Sequence, residues 1–174
     1  MSVRSLPAVV RPDDESLCSH ESASLRELTY AYRVKVDMDG LTIPVGGALT
    51  RPGAAAAVLT RLLAHEAVEV FGVLCLTTRR HVICWHEVSR GCLNGSYAHP
   101  REVFKPAFMA NADAIVIGHN HPSGDPEPSP HDLELTDRLR KAGDLLGLPV
   151  LDHVIVGHGK FFSLMASSRL VFRR

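Results

Sequence analysis

None of the four cysteines, Cys18, Cys75, Cys84 and Cys92, stands in CxxC spacing with another, so neither a zinc ribbon nor a disulfide framework is suggested. Cys75 and Cys84 fall in apolar, strand-like runs, where a free thiol acts as a small hydrophobe. The N-terminus lacks the apolar core of a signal peptide, and no apolar run reaches the length needed to span a bilayer. The sequence therefore predicts a cytoplasmic protein with reduced thiols and no membrane partner. Excess charge is lacking too: 19 Lys and Arg face 19 Asp and Glu, with a pI of about 7.2. That is not the basic footprint of a protein holding nucleic acid through phosphate contacts, so nucleic acid is disfavoured as a partner. Arg169, Arg173 and Arg174 are the one hint of a local basic patch. There is no internal repeat, low-complexity tract or second domain.

What is present fits one ordinary globular domain. The chain has 174 residues, 45% of them apolar and 22% charged, enough to bury roughly 70% of its unfolded surface. Residues 1–29 mix Pro, Ser and charge without periodicity and read as a flexible N-terminal arm, leaving residues 30–174 as the domain. Residues 30–36 alternate like a short strand, with Tyr32, Val34 and Val36 on one face. Pro52-Gly53 opens an Ala- and Leu-rich helix that runs to about residue 68 and turns Leu59, Leu62 and Leu63 inward. Two apolar runs, 70–76 and 81–88, joined by Thr77-Thr78-Arg79-Arg80, predict an antiparallel hairpin. Pro100 suits a first helical turn, so residues 101–111 read as a helix in which Pro106 should produce a kink or a restart.

Residues 114–118 form an unbroken apolar run, as in a strand buried on both faces. A helix follows over 130–146, with Leu133, Leu139 and Leu146 as inward candidates, and strands over 150–156 and 160–164 finish the chain. Helices alternating with strands predict an α/β domain with a central mixed sheet flanked by helices.

The buried run leads straight into His119-Asn120-His121, and the stretch from 119 to 132, HNHPSGDPEPSPHD, is the most distinctive in the chain. Residues i and i+2 of a strand point to one side, so His119 and His121 can aim both imidazoles at one point. Zinc commonly takes imidazole nitrogen together with a carboxylate, and three protein ligands leave a position open for water. Asp132, in the first turn of the following helix, can enter as that carboxylate. It has a second explanation: Ser129 as N-cap, Pro130 at the first helical position and Asp132 at the third make a capping-box-like start. Both duties are compatible. A general base is also wanted, and Glu66, Glu69, Glu87 and Glu102 remain undecided on this ground. His65-Glu66-x-x-Glu69 fails as an HExxH helix because Glu69 stands where the second histidine belongs. Gly124 and Ser123 read as loop-shaping, Asp125 as a turn residue and His131 as exposed. Asp152 and His153 face opposite sides of their strand, so one at most reaches the site, either to hydrogen-bond a ligand or to pack in the core.

His119-x-His121, seven residues, then Ser129-x-x-Asp132 matches the JAMM signature of MPN-type metallopeptidases. HNHPSGDPEPS followed by LDHVIVG at 151–157 resembles the bacterial RadC branch of that group. GCLNGSYAHPREVFKPAF at 91–108 resembles the branch's segment before the histidines, and EVFGVLCL at 69–76 resembles the segment carrying its glutamate. The resemblance spans about residues 30–165. It implies a three-layer sandwich of the cytidine-deaminase-like kind and one zinc ion per chain on His119, His121 and Asp132. Glu69 would be the general base, and Ser129 would help stabilise an oxyanion. It further implies cleavage of peptide or isopeptide bonds in a peptide or protein substrate, often beside a ubiquitin-like tail. Asn120 stands where many eukaryotic members carry Ser or Thr, though Asn is usual in the RadC branch. The helix-hairpin-helix segment that full-length RadC proteins carry in front finds no counterpart in residues 1–29, so a DNA-repair role gains no support.

Two other functions compete with a hydrolase. One is a non-catalytic MPN module that scaffolds partners, although such members usually lack part of the ligand set. The other is a zinc protein acting on nucleic acid, although a deaminase needs HxE with PCxxC, and no cysteine here has that spacing.

Overall fold

β3 (Ala114–Asn120) lies at the middle of a five-stranded sheet and is buried along its whole length. The computed structural model describes residues 47–91 and 98–168. The predicted arm at 1–29, the predicted strand at 30–36, Cys18, Cys92 and the arginines from 169 onward lie outside them. The strand order is β2-β1-β3-β4-β5. β1 (Val70–Leu76) and β2 (Val82–Arg90) form the expected antiparallel hairpin, with Cys75 opposite Cys84. β1 also runs antiparallel to β3, with Phe71 opposite His119. β4 (Val150–Val156) is parallel to β3, and β5 (Phe161–Ser163) is antiparallel to β4. The sheet is thus mixed, and its one parallel pair, β3 and β4, is joined through a helix.

Each face of the sheet has its own core. On one, α1 (Pro52–Leu63) packs Ala55, Ala56, Leu59 and Leu63 against Val70, Leu74, Val116 and Val154. On the other, α2 (Pro100–Met109) and α3 (Pro130–Leu146) pack Val103, Phe104, Leu135 and Leu139 against Phe71, Val73, Ile115 and Ile117. The result is the three-layer α/β sandwich. Among the described residues no helix is long and apolar enough to cross a membrane.

Several boundaries differ from the sequence reading for identifiable reasons. α1 ends at Leu63 rather than near residue 68: the Glu66 amide turns back to the Leu63 carbonyl, and the Glu66 and Val68 carbonyls accept from the Asn120 side chain in the turn that follows. α2 runs through Pro106. The amide that proline lacks would have served the carbonyl of exposed Glu102, where water can replace it. α3 has the predicted bounds, between the Ser129 cap and a left-handed Gly147 at φ 68°. Its inward stripe, however, is Asp132, Leu135, Thr136, Leu139 and Gly143. Leu133 is therefore only half-buried and Leu146 is exposed.

Gly118 allows the helical layer to approach closely. A Cβ there would sit 2.6 Å from a Leu59 methyl and 3.1 Å from the Val154 carbonyl oxygen. α1 thus rests directly on the residue before the first histidine.

Candidate metal centre

β3 brings His119 and His121 to the end of the sheet on the face covered by α3, and the N-terminus of α3 delivers Asp132 to the same place. One ligand atom from each of the three lies within 4.8 Å of the others. His119 Nε2 is 3.0 Å from His121 Nε2 and 3.4 Å from Asp132 Oδ1, and His121 Nε2 is 3.6 Å from Asp132 Oδ2. Metal bonds of about 2.0–2.1 Å at tetrahedral angles place ligand atoms about 3.3 Å apart, which these distances bracket. His119 Nε2 and His121 Nε2, 3.0 Å apart, can turn their lone pairs to one shared cation. The donor set therefore fits a small divalent metal.

The surroundings orient each group. His121 Nδ1 lies 2.8 Å from the Asp125 carbonyl oxygen; a carbonyl only accepts, so this nitrogen carries the hydrogen and Nε2 presents a lone pair. Asp132 Oδ2 accepts from the Ser129 amide at 2.7 Å and from the Ser129 hydroxyl at 2.6 Å, and the Asp132 amide donates back to that hydroxyl oxygen. The capping box is real, and it uses the oxygen Oδ2 while Oδ1 faces His119. The Ser129 hydroxyl hydrogen is directed to Asp132. Phe71, opposite His119 in the sheet, stacks on its ring at 6.0 Å and meets His153 edge-on at 5.8 Å. His153 reaches His119 Nδ1 at 2.8 Å, whereas Asp152 points to the other face and binds Ser163 and the Met165 amide. That settles the choice left open between them.

Glu69 stands half-buried just before β1. Burial, and then the charge of Asp132, push its pKa up, while His121 and His131 pull it down. Continued past the Phe71–His119 pair, the antiparallel register of β1 and β3 sets Glu69 beside His121. Asn120 holds the backbone on either side of Glu69: its Oδ1 accepts from the Val70 amide at 2.8 Å, and its Nδ2 donates to the carbonyls of Val68 at 3.0 Å and Glu66 at 3.3 Å. The other glutamates go elsewhere. Glu66 and Glu87 both bind Arg90, and Glu102 pairs with Arg101. Among the described residues the structure thus brings His119, His121, Asp132, Ser129 and Glu69 to one region. The clamp by Asn120 was not anticipated; an Asn buried at the end of a strand, needing partners for its amide, was the available signal. Asn120→Ala is expected to destabilise the fold by about 2 kcal/mol, since it orphans the Val70 amide, and to speed hydrogen exchange of that amide. Denaturant unfolding and exchange NMR check both effects.

The buried histidines also predict a pH response of the metal-free protein. Burial brings the His119 pKa down to about 4 and lowers that of His153 as well. An unfolded chain takes up these protons near pH 6.5, and the fold resists. Their stabilising effect is therefore complete above about pH 6.5 and is lost as pH falls toward about 4. The facing Asp132 carboxylate raises His121, which acts in the opposite sense, one imidazole against two. Melting temperature in the presence of chelator is expected to fall between about pH 7 and pH 5; an unchanged value would contradict two buried neutral rings.

The sequence profile of the family described as "RadC-like JAB domain" matches residues 49–170. A UPF0758 protein of Alkaliphilus oremlandii is 49% identical over 96 residues, which is 55% of this chain and 41% of the relative. One of Desulforudis audaxviator is 48% identical over 113 residues, 65% of this chain and 49% of the relative. One of Desulfitobacterium hafniense is 40% identical over 144 residues, 83% of this chain and 62% of the relative. The chain spans about half the length of the curated relatives it matches.

Proposed function

Because the chain belongs to the RadC-like JAB domain family, we propose that it is a zinc-dependent hydrolase of peptide or isopeptide bonds. The observation that carries this reading is the tetrahedral spacing of His119, His121 and Asp132 beside a carboxylate, Glu69, whose pKa is raised. Zinc on these three ligands supplies Lewis acidity, which brings the pKa of water down to about 7 and polarises a carbonyl.

The protein's own groups do the rest. Glu69 takes the proton from the attacking water and returns it to the departing amine. A carboxyl whose pKa burial raises serves both transfers better than an ordinary one. Asn120 keeps Glu69 at a constant distance from the site through its three backbone hydrogen bonds. Ser129 has the hydroxyl nearest to Asp132, and turning its hydrogen from Oδ2 toward the substrate would stabilise the developing oxyanion. The Ser129 amide still holds Oδ2 during that turn. The substrate is read as a peptide or protein with an extended chain end, such as a ubiquitin-like tail.

The test is a panel of peptides and isopeptide-linked conjugates with varied C-termini, incubated with the protein as prepared, after chelation and after zinc is restored. Cleavage that disappears with chelator and returns with zinc is expected. Stoichiometric zinc binding with no cleavage anywhere in the panel would instead favour a scaffolding module.

A further inference from the structure

Behind His119 runs a line of polar side chains that ends on a backbone carbonyl. His119 Nδ1 is 2.8 Å from His153 Nε2, His153 Nδ1 is hydrogen-bonded to Thr136 Oγ1, and Thr136 Oγ1 is hydrogen-bonded to the carbonyl oxygen of Asp132. His153 and Thr136 are wholly buried and His119 is 1% exposed, so water does not offer alternative partners. We propose that Thr136 and His153 are positioning residues, which lock His119 in the tautomer whose Nε2 lone pair faces the metal. The inference rests on the reading of His119 as a metal ligand.

The direction of the line follows from counting hydrogens. A carbonyl oxygen has none, so the one hydroxyl hydrogen of Thr136 goes to Asp132. Thr136 Oγ1 then accepts from His153 Nδ1–H. A neutral imidazole has a single N–H, so His153 Nε2 accepts, and the hydrogen between the two rings belongs to His119 Nδ1. Nε2 of His119 is left bare, facing His121 Nε2 and Asp132 Oδ1. The opposite direction would place a hydrogen on His119 Nε2, where a metal bond must form. A threonine hydroxyl bonded to the carbonyl four residues back is common in helices by itself. Here the same oxygen also meets a buried imidazole, and that second contact converts a local helical bond into a relay.

The two histidines thus take their tautomers from backbone carbonyls by different routes. His121 does so directly, from Asp125. His119 does so through two side chains, from the carbonyl of Asp132, the residue whose carboxylate is the third ligand. α3 therefore supplies one ligand with its side chain and prepares another with its main chain. Ligand-bound partners of this kind typically change metal affinity by about 10–100-fold when removed.

Nitrogen-15 NMR of the chelated wild-type chain reads the tautomer without any variant. His119 is expected to show a protonated Nδ1 and a pyridine-like Nε2; a protonated Nε2 with a bare Nδ1 would overturn the relay even if the protein proves to be a hydrolase. Zinc affinity supplies the second readout. Thr136→Val, of equal size but without the acceptor, is expected to bind zinc about 10–100-fold more weakly, and Thr136→Ser to restore near wild-type affinity. Wild-type affinity in Thr136→Val would also overturn the proposal. Neither readout requires turnover, so a failure of the hydrolase reading is told apart from a failure of this one.

Discussion

Glu69→Gln is expected to lower the rate of bond cleavage by about 10²–10⁴-fold while zinc affinity stays within a few-fold of wild type. The change removes the carboxylate proposed to accept the proton, and it keeps the size and shape of the side chain. Glu69 is not among the three ligands that converge, so the metal has no reason to leave. The backbone around residue 69 is held by Asn120 and by the Gly91 amide, which donates to the Glu69 carbonyl, so the variant should fold as the wild type does. Retained activity in Glu69→Gln, with zinc bound, would remove Glu69 from the mechanism.

Asp132→Asn is expected to weaken zinc binding by roughly 100-fold and to abolish cleavage at ordinary zinc concentrations. If three ligands share a binding free energy of about 10 kcal/mol, losing the charged one costs about 3 kcal/mol. The choice of Asn separates the two duties of this residue. Its side-chain oxygen still accepts from the Ser129 amide, so the start of α3 stays capped, while the anion that faces both imidazoles is gone. Holding that anion is something the fold already does. Burial pushes its pKa up, but the facing His121 and His119 imidazoles and the hydrogen bonds from Ser129 keep it well below the usual carboxylate range. Unchanged thermal unfolding of the chelated variant together with lost zinc affinity is the expected pair of results. Unchanged zinc affinity would leave Asp132 as a helix cap only.

These two residues also mark how far the sequence could be read. Asp132 was legible because α3 announces itself, with Ser129, Pro130 and Gly147 punctuating both ends, and because the histidines end an apolar run that only a central strand would carry. Glu69 was not legible from periodicity or spacing. It lies in a segment that continues the Ala- and Leu-rich pattern of α1, and the turn that separates it from that helix is held by Asn120, a residue more than fifty positions later. Resemblance to a family assigned Glu69 where local pattern could not. The misplaced leucines of α3 have a related cause. The inward stripe begins with two polar residues, Asp132 and Thr136, so a search for apolar spacing locks onto the wrong phase and turns Leu133 and Leu146 inward. Thr136 was within reach, one helical turn after a proposed ligand and on the same face. The role of His153 required the parallel register of β3 and β4, which sets it opposite Ile117 and one step from His119.

The most direct test of the metal centre is native mass spectrometry of the chelated wild-type chain and of His119→Ala, each titrated with zinc at neutral pH. The wild type should take up one zinc ion per chain at low excess, and His119→Ala should remain metal-free under the same conditions. No uptake by the wild type, or equal uptake by the two proteins, would contradict a zinc site built on His119, His121 and Asp132.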